Sequence, residues 1–174
     1  MRQERRTLPP LDAAALERMA LRYVERFATT RGKLADYLHR KIRERGWDGD
    51  AADPQALAQR MADLGYVDDR LYAESKAAAL TRRGLGARRV TMALRHAHIG
   101  EADTEDLAPQ IHEQAEAAAL TFARRKRIGP FGPPNDDRAV RDKQLAAMLR
   151  AGHAMDLSRR IVAARDESEF GEIG

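Results

Sequence analysis

Three helix-like stretches of this chain end at Gly46, His98 and Gly152, spaced by 52 and 54 residues. That recurrence constrains the fold more than any single motif. Four and eight residues before those ends stand Ile42 and Leu38, then Leu94 and Val90, then Met148 and Gln144. Only Gln144 breaks the apolar register, with Leu145 beside it. A unit of this length accommodates three short helices but buries too little apolar surface to be stable alone, so neighbours must stack and share faces. The expected fold class is all-α, with three tandem three-helix repeats stacked into an elongated, curved array.

Local signals fill in the repeats. Leu8-Pro9-Pro10-Leu11 reads as an extended lead-in, Asp12 as a helix cap, and Leu11 and Leu16 stand at hydrophobic-staple spacing. The first helix should run to Phe27, with Leu16, Met19, Ala20, Tyr23, Val24 and Phe27 at helical period. Thr29 or Thr30 caps a second helix that Gly46 ends. Asp53-Pro54 opens a third, with Leu57, Met61 and Leu64 facing inward and Gly65 stopping it. Asp68 or Asp69 caps a fourth to about Arg82, Gly84 to Gly86 interrupt, and a fifth follows to about His98. Thr104 to Ile111 is helical, although Pro109 should break or kink it. Glu113 to Arg127 is a clear helix, and Ile128 to Asn135 a Pro/Gly loop that should not be helical. Asn135 or Asp136 caps the eighth helix, and Met155 to Arg165 forms the last. The expected organisation is a flexible lead over 1–10, repeats over 11–67, 68–112 and 113–166, and a disordered tail over 167–174.

Composition removes whole classes of function. The 174 residues include no cysteine, which excludes disulfides, thiolate metal sites and a cysteine nucleophile. The longest run free of Asp, Glu, Lys and Arg is Ile128 to Asn135, too short and too rich in proline to span a membrane. The basic start (Arg2, Arg5, Arg6) lacks the apolar core of a secretory signal, so a cytoplasmic location is expected. Net charge is +4, but its distribution says more. Ser75 to Gly100 carries Lys76, Arg82, Arg83, Arg88, Arg89 and Arg95 with no acid. Glu101 to Glu116 carries Glu101, Asp103, Glu105, Asp106, Glu113 and Glu116 with no Lys or Arg.

Several segments, in order, resemble the RecX family. Ala20 to Arg26 is similar to its opening "AL-x-YL-x-R" helix. Leu64 to Glu74 resembles the "L-x-x-G-x-[IVL]-DD-x-x-[FY]-A" junction between the first two repeats, the most specific of the motifs. Arg83 to Val90 resembles "R-x-G-x-x-RR-[IV]", while Ala123 to Phe131 and Leu149 to His153 resemble the third repeat's basic helix end and its "L-x-R-x-G-[FH]" stop. The likeness covers roughly Leu16 to Arg165. It departs at His98, where a glycine usually ends the helix, and at His153, where an aromatic residue is usual. The resemblance implies a curved, non-enzymatic regulator of the RecA recombinase. Such a protein lies along the RecA filament on single-stranded DNA, restrains its extension, and so modulates recombination, DNA repair and the SOS response in bacteria. It implies no cofactor and no active site.

The residues themselves point to cationic helix faces. Arg88, Arg89, Arg95 and His96 lie opposite Val90, Leu94 and Ala97 on a helical wheel, and Arg82 and Arg83 extend that positive stretch. Guanidinium groups offer paired donors to phosphate or carboxylate. Lys143 and Arg150, with Arg159 and Arg160, rank second. Arg124, Arg125, Lys126 and Arg127 close a helix, where cations also answer the macrodipole. These thirteen side chains are the expected contacts to the RecA filament and its DNA. Arg31, Lys33, Arg40 and Arg43 are interspersed with Asp36 and Glu44 and read as a solvated face. Asp68-Asp69 reads as a cap and dipole partner, not as catalytic acid. His39, His96, His98, His112 and His153 show no zinc spacing, and Glu101 to Asp106 lacks the pattern of a calcium loop. No nucleophile elbow or phosphate-cradling loop is present. A monomer is expected, without membrane contact. Two other readings share the basic surface: an autonomous nucleic-acid-binding helical repeat, in which scarce exposed aromatics argue against strong base stacking, and a helical scaffold for another acidic protein.

Overall fold

The structure, a computed structural model, describes residues 9–170. The basic start and residues 171–174, with the readings placed on them, lie outside the described residues. All regular structure described is helical: α1 (Ala13–Arg26), α2 (Arg31–Arg45), α3 (Pro54–Asp63), α4 (Asp69–Arg82), α5 (Ala87–Arg95), α6 (Glu101–Glu113), α7 (Ala115–Lys126), α8 (Arg138–Arg150) and α9 (Met155–Ala163). The chain forms two compact units. One comprises the chain through Tyr72 together with Ala97–Ile99; the other comprises Ala73–His96 and the chain from Gly100.

Side-chain caps and a continuous apolar core build the first unit. Asp12 accepts from the Ala15 amide at 2.6 Å, Thr30 from Lys33 at 3.2 Å and Asp53 from Ala56 at 2.9 Å, each answering a donor that a helix start leaves unpaired. Leu11, Leu34, Leu38 and Met61 are wholly buried with Leu16, Ala20, Ala58 and Val67. Leu11 also pairs by backbone with the far end of α2, its N–H donating to Gly46 O at 3.0 Å and its carbonyl accepting from Asp48 at 2.8 Å. Pro9 is held as well, because the Arg45 guanidinium donates twice to its carbonyl oxygen, at 3.1 and 2.8 Å.

Two inward assignments fail: those of Phe27, 51% exposed just past the end of α1, and of Leu64. Leu64 is 61% exposed, because α3 ends at Asp63 and the chain reverses with Gly65 in the left-handed region. The Tyr66 amide donates back to Met61 O and the Gly65 amide to Ala62 O, a paired closure that turns Leu64 outward and Val67 inward.

His98 belongs to this unit. It adopts φ +58°, joining Gly46 (+84°) and Gly152 (+93°), so the three positions singled out by their spacing are all left-handed. The conformation disfavours a side chain. The His98 imidazole gains a partner in return, with Nε2 2.7 Å from Asp36 Oδ2, and Thr30 Oγ1 donates to the neighbouring Ala97 O at 2.5 Å.

The second unit packs Leu120, Phe122, Ala123, Ile128, Met148, Leu157 and Ile161 into its core. Four local expectations are corrected there. Helix α6 runs through Pro109 to Glu113: Thr104, Leu107 and Ile111 are buried, while Pro109 and Glu105 face solvent, so water can satisfy the carbonyl that the proline leaves without a donor. Asp137, not Asn135 or Asp136, caps α8, accepting from the Ala139 amide at 2.8 Å, while Asn135 accepts from the Asp137 amide one turn earlier. The Pro/Gly loop contains a 3-10 turn, Gly129–Phe131. The tail carries another, Glu167–Phe170, where Glu169 accepts from the Arg165 amide at 2.9 Å and Phe170 packs on the core. Gln144, the polar intruder in the apolar register, accepts from the Gly129 amide at 3.3 Å and so ties that loop to α8.

Candidate functional site

All thirteen candidate cations lie in the second unit, and all are exposed. The fold gathers some of them at one junction. Helices α4, α7 and α8 end in the same paired backbone closure, with Gly84, Arg127 and Gly152 left-handed. Between the first of these ends and α5, the backbone of Gly86 meets that of Gly152: a Cβ on Gly86 would fall 2.3 Å from Gly152 C, and one on Gly152 2.6 Å from Arg89 N. This approach lets the Gly86 amide donate to Ala151 O at 2.9 Å and the Arg88 amide to Gly152 O at 3.2 Å. The carbonyl end of α8 therefore caps the amide end of α5, which has no side-chain cap of its own. Arg125 closes the group, its Nη1 donating to Arg83 O at 2.6 Å. The backbones of Arg82, Arg83, Arg88, Arg89, Arg125 and Arg150 thus share one junction.

The other candidates are spread. Arg95 stands at the far end of α5, about 13 Å along its axis from the start. Lys143 lies two turns before the end of α8, and Arg159 and Arg160 lie on α9. Lys126 and Arg127 follow Arg125 at the end of α7. Arg124 pairs with Glu167 at 3.7 Å and lies over the Phe131 ring at 5.0 Å; Arg160 pairs with Glu116 at 3.7 Å.

Electrostatics divides these groups. Arg82, Arg95, Arg124, Arg125, Lys126, Arg150 and Arg160 occupy last turns, where each cation gains about 0.3–1 kcal/mol from the helix dipole. Their own helices explain them. Arg88 and Arg89 occupy the first turn of α5, where a cation opposes the dipole and no acid accompanies them. Val90, Leu94 and Ala97 are buried while Arg88, Arg89, Arg95 and His96 are exposed, as the helical wheel predicts. Among the described residues no carboxylate pairs with Arg88, Arg89 or Arg95. Met92, 43% exposed, stands in the middle of the same face.

Beneath the junction lies His153, which stands where an aromatic residue is usual. It is 2% exposed, its ring is tilted against Phe122 at 5.5 Å, and it hydrogen bonds with the backbone of Gly84. Burial pushes its pKa below the ordinary 6.5, only partly offset by the Gly84 contact. Its Nε2 is buried without a hydrogen-bond partner among the described residues. The imidazole fills an aromatic's place in neutral form.

In the first unit, Asp68 accepts from the Leu71 amide at 2.8 Å and caps α4. Asp69 serves another helix: it accepts from the Arg31 amide at 2.9 Å and from Arg31 Nε at 3.0 Å, supplementing Thr30 at the start of α2. Lys33 donates to the Tyr72 hydroxyl at 2.8 Å. Both carboxylates are structural. Among the described residues no cluster of three His, Asp or Glu could hold a metal ion, and no helix is long and apolar enough to cross a membrane.

No family model matches the chain. Curated relatives do. It is 32% identical to the regulatory protein RecX of Myxococcus xanthus, over 84% of this chain and 83% of the relative. It is 30% identical to RecX of Thermobifida fusca, over 95% and 90%. The crystal structure of RecX from Lactobacillus salivarius shares the fold, with TM-score 0.64 and 20% identity over 86% of this chain and 93% of that one.

Proposed function

The chain belongs to the RecX family of regulatory proteins, and from that membership we propose that it binds the RecA filament on single-stranded DNA and restrains its extension. It acts by occupancy, as a cytoplasmic, non-enzymatic monomer without a cofactor. The observation that supports this reading is the outer face of α5. Arg88 and Arg89 stand against their own helix dipole, Arg95 continues the face, and although the Arg89 stem lies against Gly152, no carboxylate among the described residues pairs with any of the three guanidinium groups. Two cations held where their own helix does not favour them, with a third on the same face at its far end, suit a partner's anions.

Met92 at the centre of that face favours a protein surface bearing carboxylates over phosphate alone, since methionine and arginine are both enriched in protein interfaces. The remaining candidates, Arg82, Arg83, Arg124 to Arg127, Lys143, Arg150, Arg159 and Arg160, supply a broader positive field that speeds association and weakens with salt. Replacing Arg88, Arg89 and Arg95 together by Glu tests the proposal. The variant should fold with unchanged helicity and fail to inhibit the single-stranded-DNA-dependent ATPase of RecA. Normal inhibition by the folded variant would remove this face from the function.

A further inference from the structure

Aromatic residues are scarce in this chain, four Phe, four Tyr and one Trp, yet the first unit brings three of them to one face. Tyr23 of α1 and Tyr37 of α2 stack at 4.2 Å with 24° between their planes. Phe27 follows at the end of α1, its centroid 5.2 Å from Tyr23 and its ring tilted by 50°. Cations surround the group: the Arg26 guanidinium lies 5.8 Å from the Phe27 centroid, and Arg40 and Lys41 lie 5.5 and 5.9 Å from that of Tyr37.

The fold accounts for the tyrosines, whose stack fastens α1 to α2 beside the core. It does not account for Phe27. That residue closes α1 through its backbone amide, which donates to Tyr23 O at 2.9 Å, a bond that needs no particular side chain. The residue is 51% exposed. Nor does local pairing neutralise the cations: Arg40 (3.7 Å) and Lys41 (2.6 Å) share one carboxylate, Glu44, whose pKa the Lys41 hydrogen bond holds below the usual range. An open aromatic face among uncompensated cations matches a planar base with its phosphate, and such a base is accessible only where a strand is unpaired.

We infer that Phe27, with Arg26, Arg40 and Lys41, receives an unstacked base and its adjoining phosphate from a single-stranded nucleic acid. This deepens the proposal above by placing nucleic-acid contact on the first unit, on residues separate from the α5 face.

The test uses the full chain and DNA alone, with fluorescence anisotropy of a labelled oligothymidylate and of a blunt duplex across a salt series. Phe27→Ala should weaken single-strand binding roughly five- to tenfold, leave the salt slope and duplex binding unchanged, and be rescued by Phe27→Trp. Arg26→Gln with Arg40→Gln should lower the salt slope by roughly 1 to 2. Parental single-strand affinity in folded Phe27→Ala would overturn the inference, as would an equal loss toward duplex, the mark of a merely structural role. Because no recombinase is present, failure here leaves the α5 test standing, and failure of the α5 test leaves this one standing.

Discussion

The two units differ in how helix starts near their centres are closed. In the first, side chains do the closing: Thr30, Asp53 and Asp69 cap helix starts, and Leu34, Leu38 and Met61 fill the centre. In the second, the α5 start closes on the α8 end backbone against backbone, Gly86 on Gly152, with no side chain between them. Closure by backbone frees the local side chains for other work, and that is where the unpaired arginines stand.

The comparison breaks most readily at the glycines. Gly152→Ala adds a Cβ 2.6 Å from Arg89 N in a backbone already at φ +93°, and overpacking with conformational strain should remove about 3–5 kcal/mol. Gly65 in the first unit is also left-handed, at φ +80°, but has nothing within 4 Å of its missing Cβ. Gly65→Ala should therefore cost only about 1–2 kcal/mol, from conformation alone. Urea denaturation of both variants measures the difference; equal losses would mean that the Gly86–Gly152 approach does not bear on stability. Leu38→Ala, wholly buried in the first unit, should fall between or alongside them at about 2.5–4 kcal/mol.

A smaller effect depends on pH. His153 is held neutral by burial, so its folded pKa lies below the 6.5 of the unfolded chain. The unfolded state then binds the extra proton first, and stability that is complete above pH 6.5 is lost as pH falls below it. Thermal melts across that window should show the decline, and His153→Phe should flatten it; an unchanged decline would assign it to other groups. The smallest effect is the most diagnostic. Arg88→Ala with Arg89→Ala should leave the stability measured by urea denaturation level or slightly raised, by about 0.3–1 kcal/mol, because two cations leave the positive end of α5. A clear loss of stability would show that the fold needs them.

What the sequence revealed follows the range of each interaction. Asp12, Asp53 and the Thr29-Thr30 pair were legible as caps because a cap acts within three residues, and the helix ends near Gly46, His98 and Gly152 were legible from spacing, although only Gly46 was expected to be left-handed. Asp69 was read as serving its own helix, since nothing local shows that Arg31, 38 residues earlier, brings its amide there. Pro109 was read as a breaker because its exposure, which decides whether the freed carbonyl finds water, is a tertiary property. The thirteen candidate cations were found from charge and from their place opposite the apolar stripes. Their sorting into those that serve helix ends and those that oppose one required knowing where α5 begins and what caps it. Phe27 was assigned to the core by its spacing, and only the end of α1 at Arg26 exposes it.

The central claim is that the outer face of α5 exists for a partner and not for the fold. A cryo-EM map of the full chain on a RecA filament assembled on single-stranded DNA tests it most directly. The account predicts Arg88, Arg89, Met92 and Arg95 buried against the filament. A map in which the chain is bound through other elements, with that face open to solvent, would contradict it.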